Sequence, residues 1–175
     1  MYVRLLSEAV LDIKGEAPEV REDATIDLVV DAHIPESYIA SQAQRIDMYK
    51  KLSLILTEED RSDVLDEFCD RFGEPPRPVL CLLDVALSRA LATRAGISRI
   101  EQRGSDLKFS FAKLSLEAWS EAFVALPGLR MVNASPPYVT YRLPRGKDPA
   151  ATVLKVLFAY LSGMQDDTPK KEEGK

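Results

Sequence analysis

Apolar residues recur along this 175-residue chain with two periods, one helical and one of strands, and the switches between them mark out its elements. Near the N-terminus Val3, Leu6, Val10 and Ile13 fall on one helical face, and Gly15 ends that run. Residues 16–23 hold acids, a proline and no apolar period, which places a boundary at Ala24. Ile26, Leu28 and Val30 then alternate with Thr25, Asp27 and Val29, predicting a strand that stops before Pro35, a residue with no amide to give a ladder. A long amphipathic helix is predicted over residues 37–56, with Ile39, Ala43, Ile46, Tyr49 or Lys50, and Ser53 along one row and Leu52, Ile55 and Leu56 widening it.

Thr57 can cap a second helix, with Asp60 near its positive end and Gly73 suited to the left-handed position after Phe72. Pro75 and Pro76 break the chain, and Pro78 fits the first turn of a third helix that Gly96 ends. Two strands, 97–102 and 107–111, flank Arg103-Gly104-Ser105-Asp106 and predict a hairpin. A short helix over 115–126, strands at 129–132 and 138–143, and a helix opened by Asp148-Pro149 and running to 164 complete the pattern. Residues 165–175 carry no apolar side chain, a composition that cannot offset ordering entropy, so a disordered tail is expected there. The order predicts an α+β fold with a mostly antiparallel sheet packed with several helices and preceded by a linker helix. The expected segments are 1–23, the end of a preceding region and its linker; 24–164, the domain; and 165–175, the tail.

Composition narrows the function. A chain of this length with 46% hydrophobic residues fits one core. Its net charge of −5 argues against direct, nonspecific binding to nucleic acid, which needs Lys and Arg concentrated on one face. Spaced glycines of the phosphate-cradling kinds are absent, and Cys69 and Cys81 lack the spacing of a zinc site, so no cofactor or metal is expected and the thiols read as reduced. No apolar run reaches membrane-spanning length and no signal-peptide pattern opens the chain, so no membrane association and a cytoplasmic location are expected.

Candidate chemistry is sparse. His33, the only histidine, has Asp31 nearby but no nucleophile motif, and reads as a structural or surface residue. Trp119, Phe109, Phe111, Tyr138 and Tyr141 sit in strands or an amphipathic helix with few basic neighbours, which fits core packing better than base stacking. Over residues 60–72, an advance of 100° per residue puts Val64, Leu65, Phe68 and Phe72 on one arc and Asp63, Glu67, Asp70 and Arg71 on another. The plain reading of the charged arc is a solvated ion-pair face contributing ~0.3–0.5 kcal/mol per pair. The sharper reading is a docking face for a basic patch on another domain.

Three stretches bear on that choice. Residues 31–39 (Asp-Ala-His-Ile-Pro-Glu-Ser-Tyr-Ile), 44–51 (Gln-Arg-Ile-Asp-Met-Tyr-Lys-Lys) and 70–76 (Asp-Arg-Phe-Gly-Glu-Pro-Pro) resemble, in order and spacing, the C-terminal domain of bacterial transcription-repair coupling factors. Departures stand at His33, where that family commonly has an aromatic, at Ala40-Ser41, where Pro-Asp is frequent, and at Cys81, where Asn is typical. The resemblance implies a non-catalytic domain of an ATP-driven DNA translocase that removes stalled RNA polymerase and recruits the excision-repair protein UvrA through a UvrB-like module. It further implies that this domain covers that module of the same polypeptide in a resting state, meeting UvrA and polymerase only indirectly. The family's contact motif, a Glu followed three and four residues on by Asp-Arg, maps onto Glu67, Asp70 and Arg71, with Asp63 and Glu74 as flanking carboxylates. The alternative from another class is a free-standing small α+β enzyme or ligand-binding domain, with its site between the sheet and the Pro136-Pro137 loop.

Overall fold

The structure, a computed structural model, describes residues 22–165. The helix predicted near the N-terminus, most of the linker and nearly all of the tail lie outside the described residues. Ten elements follow in order: β1 (Thr25–Asp27), α1 (Gln42–Ser53), α2 (Glu58–Phe72), α3 (Arg77–Arg94), β2 (Ile97–Arg103), β3 (Asp106–Phe111), α4 (Leu116–Ala125), β4 (Leu129–Val132), β5 (Tyr138–Arg142) and α5 (Pro149–Gln165). The strands form one sheet in the order β1-β2-β3-β5-β4, parallel only between β1 and β2. The fold is α+β, as the order of elements implies.

Cross-strand rows explain the burial. Ile26, Ile100, Phe109, Val139 and Met131 align across all five strands, and Leu107, Tyr141 and Leu129 form the next inward row. These side chains meet α3, α4 and α5, where Trp119 is fully buried with Tyr160 at 4.5 Å and Phe111 at 5.4 Å between ring centroids. Gly163 lets α5 close on α4, because a Cβ there would stand 2.8 Å from the Glu121 Cβ and 2.9 Å from the Ala118 carbonyl oxygen. Helix α3 is the central element. It packs on β1 and β2 of the sheet and on α1, α2 and α5.

Two expectations change. The helix predicted from residue 37 begins at Gln42, because the Pro35 carbonyl accepts the amides of Tyr38 and Ile39 in a turn and Ser41 caps the helix through Gln44 N. Ala43 and Ile46 are consequently exposed, and Met48, Leu52 and Ser53 form the buried row. The first strand spans three residues rather than reaching Val30, because past Asp27 the Val29 amide bonds the Gln102 side chain instead of a neighbouring strand.

The chain's entry into the domain is fastened to α3. Arg89, 5% exposed, donates from Nη2 to the Ser53 carbonyl at 3.0 Å and reaches Asp23 Oδ2 from Nη1 at 3.4 Å. One turn along, the Thr93 hydroxyl accepts the Ala24 amide at 2.9 Å.

Candidate functional site: the charged face of helix α2

Helix α2 is well determined by its own ends. Thr57 accepts Asp60 N while Asp60 accepts Thr57 N, a complete capping box, and Gly73 closes the helix at φ 84°. The amides of Leu56 and Thr57 and the Thr57 hydroxyl hold the Asp60 carboxyl below the ordinary range. Arg61 bonds Asp84 Oδ1 from Nη2 at 2.6 Å and from Nε at 3.0 Å, tying α2 to α3. Phe68 is fully buried, and Val64, Leu65 and Phe72 pack partly buried against the core.

Tyr38 fixes the far end of the helix. Its ring lies 6.2 Å from Phe68 and 6.1 Å from Phe72, and its hydroxyl donates to the Gly73 carbonyl at 2.7 Å. This orients the last turn, where Asp70 and Arg71 stand.

On the outward arc Glu67 and Arg71 belong to a cross-helix network. Glu67 Oε1 accepts Arg71 Nη1 at 2.7 Å and also bonds the Lys51 ammonium of α1. Asp47 closes the set, 3.4 Å from Arg71 and 3.8 Å from Lys51. Hydrogen bonds from Lys51, then Arg71, hold the Glu67 carboxyl below the ordinary range, and Glu67 in turn raises Arg71. The Arg71 guanidinium also stacks 5.0 Å over the Phe72 ring. Asp63, Asp70 and Glu74 are exposed, with no ion pair among the described residues, so the residues singled out in the sequence divide into the Glu67–Arg71 pair and three free acids.

Single-helix periodicity misses two participants. Asp47 and Lys51 belong to α1, four residues apart; their spacing is visible, but their pairing with α2 is a tertiary fact. Asp66, also exposed, joins Glu59, Asp63 and Asp70 at steps of four, three and four residues in an acidic strip along the helix.

Elsewhere the inventory is bland. His33 Nδ1 lies 2.8 Å from Asp31 Oδ1 at the surface, and no group of His, Cys, Asp and Glu able to hold a metal occurs among the described residues. Burial pushes the Cys81 thiol up to about 12, which leaves it a poor nucleophile. A groove of about 1090 Å³ opens where α3, β2, β3, α4 and α5 end, between Thr93, Lys113, Leu116 and Met164. It does not involve the Pro136-Pro137 loop. No helix among the described residues is long and apolar enough to cross a membrane.

Residues 28–119, more than half of the chain, match the TRCF domain. The protein belongs to the TRCF domain family. This TRCF domain is similar to the transcription-repair-coupling factor of Staphylococcus epidermidis, 36% identical over 120 residues that make up 67% of this chain and 10% of that protein. It is similar also to that of Bacillus subtilis, 37% identical over 103 residues, 58% of this chain and 9% of the relative. The chain therefore spans about a tenth of the length of these curated relatives. Its fold matches the crystal structure of a C-terminal domain of transcription-repair coupling factor with a TM-score of 0.74, at 22% identity, covering 83% of this chain and 96% of that one.

Proposed function

We propose that this TRCF domain is a non-catalytic, autoinhibitory interaction domain of an ATP-dependent DNA translocase that removes stalled RNA polymerase and recruits excision repair. In this reading the charged face of α2 docks on the UvrB-like module of the same polypeptide and masks its UvrA-binding surface. Release follows when polymerase engagement changes the contact energy by a few kcal/mol. The observation that carries the reading is the composition of that face: Asp63 and Asp70 stand free beside a Glu67–Arg71 pair that Lys51 and Asp47 already hold in place. A preorganised pair beside unpaired acids can give register and charge complementarity without a folding cost at the moment of docking.

The test is Glu67→Ala, Asp70→Ala and Arg71→Ala together in the full-length parent. Truncating desolvated interface charges often costs about 2 kcal/mol or more, roughly thirtyfold in a closed-to-open equilibrium. UvrA binding and ATPase without polymerase should rise, while the melting midpoint of the isolated domain changes little, since exposed ion pairs are weak. Unaltered UvrA binding and ATPase in the folded variant return this face to a solvated surface.

A further inference from the structure

The open side of the sheet carries a charge pattern opposite to that of α2. Successive residues of a strand alternate faces, so the rows between the buried ones point outward. One outward row runs Asp27, Glu101, Lys108, Thr140, Arg130 across all five strands, and Arg103, Asp106 and Arg142 form the row at the hairpin end. Arg99 sits beside Ser110 and Tyr138 in the row on the other side. Five cations thus share one face with three carboxylates, in a protein whose whole charge is −5.

Some of these cations are held and others stand free. Glu101, 8% exposed, lies between Arg99 and Arg103 and pairs with both, at 3.0 Å to Arg99 Nε. Lys108 stands 4.5 Å over the Tyr138 ring. Lys108 and Arg130 have no ion-pair partner among the described residues, and Arg103 and Arg142 are 72% and 81% exposed. The surplus of positive charge lies on the β3-β5-β4 half, where Lys108, Arg130 and Arg142 stand against Asp106 alone.

We infer that this sheet face is a second interaction surface, which takes an acidic polypeptide segment of a partner protein. The inference is independent of the docking proposed for α2, which involves a different element and different residues. Charge complementarity selects the occupant. Lys108 and Arg130 are two strands apart, about 10 Å, and Asp27, Glu101 and Asp106 interrupt the cations. That spacing suits separate carboxylates on a protein, whereas a continuous phosphate backbone would meet the three acids as well.

The experiment titrates the full 175-residue chain with poly-L-glutamate at low ionic strength and follows backbone amide shifts. Shifts confined to β2, β3, β4 and β5, with α2 silent, are expected. The variant Arg103→Glu, Lys108→Glu, Arg142→Glu should weaken binding by at least about tenfold, since charge-assisted hydrogen bonds to the peptide carboxylates give way to repulsion. Lys50→Glu, Lys113→Glu, Lys155→Glu makes the same change in net charge away from this face and should bind as the wild type does. The neutral set Arg103→Gln, Lys108→Gln, Arg142→Gln serves if the reversals unfold the domain, and should also weaken binding. Equal loss in both reversal variants, no binding of poly-L-glutamate, or tighter binding of oligothymidylate than of poly-L-glutamate would each overturn the inference.

Discussion

At the scale of single residues, Glu67 is the most informative position. Its carboxyl is held low first by the Lys51 ammonium and then by Arg71, so its charged form is favoured in the folded state. A depressed folded value means that the stabilisation is fully present above the ordinary glutamate range and fades as the pH falls through the depressed value. The Glu67 side-chain carbon, followed by nuclear magnetic resonance, should therefore titrate below an ordinary glutamate. Lys51→Met should move that midpoint upward. A midpoint indifferent to Lys51 would mean that the two helices do not share this proton's energetics. Glu67 and Arg71, four apart on one helix, are legible as a pair in the sequence; their partners Asp47 and Lys51 are not, because the angle between two helices is set by packing and not by either one's period.

At the scale of elements, α2 is readable nearly end to end because each signal agrees with the next: a hydroxyl cap, acids in the first turn, an apolar arc and a glycine stop. Phe68 is the centre of that arc. Phe68→Ala should cost about 3–5 kcal/mol, the range for emptying a fully buried aromatic site. A thermal melt with an unchanged midpoint would mean that the helix packs by another face. Helix α1 shows the opposite case. The periodicity of Ile39 with Ala43 and Ile46 favours a start at residue 37; the turn at Pro35 buries Ile39 without any helix, which no helical template represents. The hairpin, the sheet-closing strands and the last helix follow from turn residues and caps, such as Gly104 at φ 61° and Asp148 accepting Ala150 N at 2.8 Å.

At the scale of the whole molecule, charge is segregated by element: acids on α2, a surplus of cations on the outward sheet face, with α3 in contact with both α2 and the sheet. Neither surface has a nucleotide cradle. The purified chain should therefore show no ATP turnover above blank and no micromolar affinity for duplex DNA in ~150 mM salt; a steady-state phosphate assay and fluorescence anisotropy check the two halves. The buried Arg89 also gives the fold a load path. Tension entering at Glu22 reaches Asp23 and Ala24 first, and these are fastened through Arg89 and Thr93 to α3, the helix that touches α2 and the sheet alike. The short strand β1 is shielded from peeling, and a pull on the chain is delivered to the centre of the domain and, through the Ser53 carbonyl, to the end of α1.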